Sequence, residues 1–211
     1  MYISRYMIRE PLTATPDMAL PEARRLLNEN HFRHLPVVDE QGQLVGMITD
    51  RDLRSAYPSS MLSESERLQV YERVEKTMVV DIMSTECLSL TPESTLDDAL
   101  LLFDREGVGA LPVLEDGQLV GIFSSRDLLT AYKELFGVGE IGSVLLGIDD
   151  DGQSGLMTRI VTLLELHNIP FTRLLRIHDT EHGNRIYLRL NTCKIASVIV
   201  LLREAGIHPA L

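Results

Sequence analysis

The apolar positions of this chain follow two alternating patterns. Short runs such as Leu35-Pro36-Val37-Val38 and Leu44 to Thr49 have the length and β-branched content of buried strands. Between such runs, Leu96, Ala99, Leu100 and Phe103 recur at i, i+3, i+4 and i+7, the spacing of one helix face. Leu20, Ala23 and Leu27 make the same stripe earlier, with Pro21 suited to a first helical turn. Thr95 and Asp98 stand as a capping pair ahead of the later stripe.

The pattern occurs twice. Met7 to Val38 matches Met83 to Leu114 at a constant offset of 76, and beyond the following turn, one residue longer in the first copy, the offset is 75. Each copy predicts a lead-in segment ending in Thr15-Pro16 or Thr91-Pro92, then a helix and a Leu-Pro-Val strand. A turn at Gly42 or Gly117, a return strand and a closing helix (Asp52 to Tyr57, Asp127 to Phe136) complete it. One β-α-β-β-α copy of about fifty residues is too small to bury a sheet face alone, so the two are expected to pack sheet to sheet. The polar connection Pro58 to Val79 carries a Ser63/Glu66 capping pattern, with Leu68, Tyr71 and Val74 as the apolar face of a helix that serves as a spacer, a regulatory lid being the alternative.

The candidate chemistry sits where each return strand meets its closing helix. Gly46-Met47-Ile48-Thr49-Asp50-Arg51-Asp52 is repeated as Gly121-Ile122-Phe123-Ser124-Ser125-Arg126-Asp127. A strand-to-helix junction offers unpaired N–H groups to an anion, and a carboxylate one turn on can accept hydrogen bonds from a ribose diol. Taken alone, either copy also reads as an ordinary N-cap Thr or Ser with an Asp in the first turn. Duplication inside a longer repeat is what points to a site.

The Leu-Pro-Val strands, the Gly-x-x-(Thr/Ser)-x-x-Asp junctions and the Thr-Pro lead-ins, paired over roughly residues 1–136, resemble a tandem pair of cystathionine-β-synthase (CBS) domains, the nucleotide-sensing arrangement called a Bateman module. The resemblance implies ligand clefts between the copies. Thr49, Arg51 and Asp52 would serve phosphate and ribose in one cleft, and Ser124, Arg126 and Asp127 in the other. Thr13 and Thr15, with Ser89 and Thr91, would frame the adenine. Arg33-His34 precedes the first Leu-Pro-Val and would meet phosphate, or it simply ends a solvated helix; Gly109-Ala110 stands at the matching place in the second copy, so a less charged ligand or none is expected in the second cleft. The expected ligand is AMP, ADP, ATP or S-adenosylmethionine, bound as a regulator, with a homodimer and a separate target protein as partners.

From Gly137 the texture changes. Gly137 to Gly142 reads as a linker, and strands, helices and a hairpin then follow in the order β-α-β-β-α-β, the ferredoxin-like split layout. With Asp151-Gly152-Gln153-Ser154-Gly155-Leu156 after the first strand and Ala205-Gly206-Ile207 after the second helix, this part resembles an ACT domain. The resemblance implies dimerisation, or a second small ligand at Gly152, Gly155 and Leu156. The acidic run Asp149 to Asp151 lacks the spaced carboxylates of a calcium loop. The full order resembles the acetoin-utilisation AcuB-type family.

The fold expected is thus α/β (α+β): two CBS units and an ACT-type domain, divided as 1–57, linker 58–79, 80–136, linker 137–142 and 143–211. Composition narrows the function. A net charge of −11, from 31 acidic and 20 basic residues, argues against nucleic acid or anionic lipid as the main partner. No apolar run reaches the ~20 residues that span a bilayer. The first residues lack a signal-peptide layout, and Cys87 and Cys193 form no CxxC, so a reducing cytoplasm is expected, with one disulfide as the alternative. The six histidines show no metal spacing, and GxxxxGK(S/T) and GxSxG are absent, so neither a metal nor catalysis is expected. A scaffold with empty clefts is the rival to a sensor, and an enzyme of acetoin or nucleotide metabolism is a further one.

Overall fold

In a computed structural model of the chain, which describes residues 1–150, 152, 154–178 and 183–210, several helices begin where side chains cap them. The chain opens with a 3-10 turn (Ile3–Arg5), β1 (Ile8–Arg9), α1 (Leu20–Asn30), β2 (His34–Val38), β3 (Leu44–Thr49) and α2 (Asp50–Ala56). The connection holds α3 (Glu64–Val74) and a second 3-10 turn (Val79–Asp81). The second copy follows as α4 (Leu96–Glu106), β4 (Ala110–Glu115), β5 (Gln118–Ser124) and α5 (Ser125–Phe136). Thr49, Ser63 and Thr95 each close a capping box with the carboxylate three residues on. Such a cap contributes about 1 kcal/mol. Because Thr49 is itself the cap, α2 starts at Asp50, two residues before the start the pattern predicts.

Two compact units result, Met1–Ala131 and Tyr132–Leu211. Within the first, each copy contributes a hairpin, β2 with β3 and β4 with β5. The core of the first copy holds Leu20, Ala23, Leu27, Leu35, Val37, Ile48 and Leu53. The second copy buries Leu96, Ala99, Phe103, Leu111, Val113, Phe123 and Leu128. Met47, Ala110 and Ile122 form a small cluster between the hairpins, and Gln43 bridges its own counterpart Gln118.

The lead-in segments are exchanged between the copies. β1 pairs with β5 (Ile8 opposite Ile122), and Ser84 pairs with Met47 on β3. The turn at Ile3–Arg5 serves the second copy, with Ile3 N–H donating to Ser94 O and Leu96 N–H to Met1 O. In the mirrored arrangement Val79 N–H donates to Met18 O and Leu20 N–H to Thr77 O. Two glycines permit the crossings. A Cβ on Gly46 would lie 2.6 Å from Met83 Sδ and 3.0 Å from Ser84 O, and one on Gly121 would lie 3.0 Å from both Ile8 O and Met7 Sδ.

The spacer helix differs from its pattern. α3 forms, but only Val74 is buried; Leu68 and Tyr71 are exposed, and Tyr71 sets its ring edge against Tyr57 at 6.2 Å. α3 is held by its capping box and by Val70 and Val74, which pack on the core of the first copy.

The second unit contains β6 (Ser143–Asp149), α6 (Leu156–Leu166), β7 (Phe171–Ile177), β8 (Arg185–Asn191), α7 (Ile195–Glu204) and β9 (Pro209–Ala210). Its antiparallel sheet has the order β7-β8-β6-β9, the split layout expected. Leu146, Ile148, Ile186, Leu188 and Leu190 face Leu156, Ile160, Leu164, Val198 and Leu202 of the helices in one core. The 179–182 part of the predicted hairpin turn lies outside the described residues. Arg173 of β7 receives the end of α5: its Nε and Nη2 donate to Leu135 O and Glu134 O at 2.9 and 2.7 Å, and Nη1 pairs with Glu140 at 2.7 Å. Gly137, at φ 65, leaves the space these guanidinium atoms fill.

Candidate functional site

The two junctions have one geometry. Thr49 donates its N–H and hydroxyl to Asp52 Oδ2 at 2.8 and 2.7 Å, and Asp52 N–H returns to Thr49 Oγ1 at 3.3 Å. Ser124 and Asp127 repeat this at 2.9, 2.6 and 3.3 Å. Both are half-buried. One oxygen of each carboxylate, Oδ2, therefore holds the junction together. Thr95 and Asp98 form the same box at an exposed place, 2.7 Å between Oγ1 and Oδ2. The box alone is therefore structural; what surrounds it distinguishes a site.

Strand register decides those surroundings. His34 is the ladder partner of Thr49, and Ala110 is the partner of Ser124. The carbonyls just upstream, Arg33 O and Gly109 O, accept the N–H groups of Asp50 and Ser125, both at 3.0 Å. Around the first junction this gathers Arg33, Arg51 and Asp52 near His34, and all three act electrostatically on its imidazole. Burial, then the Arg33 charge, hold His34 below its ordinary value of 6.5; Asp52 opposes this and Arg51 adds to it. A neutral imidazole among two guanidinium groups and one carboxylate leaves a net positive place, suited to an anion. Arg51, with Arg54 and Ser55, lines a shallow depression of about 400 Å³, and Arg54 pairs with Asp50. Arg54 is a basic neighbour that reading by motif missed, since it lies beyond the repeated stretch.

The second junction has Arg126, exposed, and neither a cation nor a bulky side chain at the Gly109-Ala110 position. The lead-in residues lie at the parallel bridges of Ala14 to Val37 and Leu90 to Val113. Thr15 donates to Asp17 at 2.5 Å and Thr91 Oγ1 lies 3.5 Å from Ser94 Oγ, both local contacts. Thr13 is half-buried and Ser89 exposed, each beside a buried bridging residue.

In the second unit, Gly155 caps α6 with φ 88, Leu156 packs into the core, and Gly152 N–H donates to Asp150 at 3.1 Å. Asp151 and Gln153 of this loop lie outside the described residues. Asp150 accepts Arg176 Nε and Nη2 at 2.5 and 2.8 Å, which holds its carboxyl below the usual range and engages it as an ion pair. A groove of about 580 Å³ lies elsewhere, between the turn His167 to Pro170 and α7, with Lys194, Ser197 and Glu204 among its polar groups.

Comparison with known proteins agrees with this architecture. The CBS domain family model matches residues 3–59 and 79–134, more than half of the chain, and the chain belongs to that family. A CBS domain-containing protein of Dictyostelium discoideum is 36% identical over 128 residues, covering 60% of this chain and 88% of its own length. A crystal structure from Vibrio cholerae, of a protein named for acetoin utilization (AcuB), is 26% identical with a TM-score of 0.55, covering 66% of this chain and 96% of that one. The Arabidopsis thaliana protein CBSX2, solved in complex with AMP, is 25% identical with a TM-score of 0.54, covering 64% of this chain and 98% of that one. The family match falls on the repeat. Among the described residues, no helix is long and apolar enough to cross a membrane.

Proposed function

We propose that this chain is a regulatory protein that binds an adenine nucleotide in the CBS pair and answers with a change of shape or partner. The observation that carries the reading is the gathering of Arg33, His34 and Arg51 around the Thr49–Asp52 junction. That site offers cations for phosphate and a fixed carboxylate for ribose, on a scaffold whose relative CBSX2 was solved with AMP. The ligand is AMP, ADP, ATP or S-adenosylmethionine; Thr13, Thr15, Ser89 and Thr91 frame the base, and Ser124, Arg126 and Asp127 serve a second cleft. The second unit is an ACT-like domain for homodimerisation or a second small ligand, and the response passes to a target protein in the cytoplasm, without catalysis.

A scaffold without ligand is the second reading, favoured by the shared box geometry of Thr95–Asp98. Calorimetric titration with the four ligands, beside Asp52→Ala and Asp127→Ala, separates the two. Micromolar binding lost in either variant supports a sensor; flat heats throughout, with no thermal shift, leave the scaffold.

A further inference from the structure

Gly109 looks like a spacer between α4 and β4, yet its surroundings come from the other copy. A Cβ built on Gly109 would lie 2.9 Å from His34 Cε1 and 3.0 Å from His34 Nε2, well inside the ~3.5–4.0 Å of ordinary contact. The imidazole of the first copy therefore rests on the bare backbone of the second, beside the carbonyl that anchors Ser125. The φ of Gly109 is not positive, so any residue could adopt its backbone conformation. What glycine provides here is only the missing side chain. At the matching place in the first copy stands Arg33, a long cation.

We propose that Gly109 and His34 together determine specificity: the bare glycine seats the imidazole where it completes the phosphate side of the first junction and leaves the second junction to uncharged ligands. This rests on the nucleotide-sensor reading and deepens it. His34 is the ladder partner of Thr49 and shares its surroundings with Arg33, Arg51 and Asp52, while its Cε1 and Nε2 atoms lie against Gly109. An imidazole N–H held there donates to a phosphate oxygen, and Arg33 and Arg51 supply the charge. The second junction has the same capping box, with Arg126 at the place of Arg51 but Gly109 and Ala110 in place of Arg33 and His34, and so recognises a nucleoside by its sugar and base more than by phosphate. His34 is thus a specificity residue of one junction, and Gly109 is the positioning residue that acts through it.

The test is a double-mutant cycle read by calorimetry with AMP and with adenosine on the full chain: wild type, Gly109→Ala, His34→Ala and the double variant. The expected result is a roughly tenfold loss of AMP affinity in each single variant, about 1.4 kcal/mol. No further loss is expected in the double variant, and adenosine affinity stays unchanged in all four proteins. An unaltered AMP affinity in Gly109→Ala overturns the proposal, as does an additive double variant or an equal loss for adenosine. Should Gly109→Ala fail to fold, His34→Ala and His34→Gln decide: the ratio of AMP to adenosine affinity must fall in the first and recover in part in the second, and an unmoved ratio overturns the idea. A wild type that binds none of AMP, adenosine, ADP, ATP or S-adenosylmethionine overturns the sensor reading itself, an outcome separate from failure of the cycle.

Discussion

Leu27 and Ile48 belong to the core of the first copy; at the matching positions the second copy stacks Phe103 on Phe123, with ring centroids 6.2 Å apart. Arg33 and His34 precede the strand of the first copy, and Gly109 and Ala110 precede that of the second. The two cores are filled by different volumes around one backbone, and the two junctions carry different charge around one capping box. The backbone plan therefore fixes where a site stands, while a handful of side chains decide what each site is. Equivalence of position does not imply equivalence of role.

The largest effect should come from the unequal cores. Phe123→Ala removes half of a stacked pair and should cost about 3–5 kcal/mol in urea unfolding, against about 2–4 kcal/mol for Ile48→Ala at the matching place. Similar costs would mean that the aromatic pair adds nothing to the second copy. The crossings come next. Gly46→Val and Gly121→Val each force a branched side chain onto the other copy's lead-in, and each should destabilise by about 1–3 kcal/mol. Gly46 should be the worse, because its contact with Met83 Sδ is the shorter.

On the ligand side, Arg33→Ala should weaken AMP binding roughly tenfold and Arg126→Ala less than about threefold, if charge is concentrated at the first junction. Equal losses in calorimetry would erase the asymmetry. Thr49→Ala and Thr95→Ala should each lower stability by about 1 kcal/mol through loss of a cap. Only Thr49→Ala should also change the heat of nucleotide binding, so two equal boxes would be told apart by function.

The smallest effect is with pH. Burial and the neighbouring Arg33 charge keep His34 below 6.5 in the folded protein. As pH falls past that value the unfolded chain takes up the proton first, so stability present above it declines from there down to the folded-state value. Thermal unfolding from pH 7.5 to 5.5 should show a decline that His34→Gln makes shallower. An unchanged slope would mean that the imidazole is not held neutral.

Much of this was legible in the residues. The repeat, the capping boxes at Thr49, Ser63 and Thr95, and the split layout of the second unit follow from local periodicity and caps, which a linear pattern records. The burial of α3 was not legible: Leu68 and Tyr71 share the helical spacing of Val74 yet are exposed, and the residues that meet the core are Val70 and Val74, a choice the linear pattern does not record. Nor was the exchange of lead-ins: Ile8 opposite Ile122 and Ser84 opposite Met47 are contacts between copies, and no local rule says which copy a strand will join. In the sequence Gly109 shows only as the counterpart of Arg33, since its contact is with a histidine 75 residues earlier. In the first junction the residue types were evident, and their convergence was a matter of strand register.

The exchanged lead-ins bear on how such a chain could come to exist. A polypeptide with one copy would own a strand with no hairpin to join and a helix whose first turn lacks its bonding partner, as Leu20 N–H needs Thr77 O and Leu96 N–H needs Met1 O. Two separate copies could satisfy each other by trading those segments about the axis that Gln43 and Gln118 now mark. The repeat is in that sense a symmetric dimer written into one chain. Once joined, its halves are free to diverge, because a change at Gly109 no longer forces the same change at Arg33.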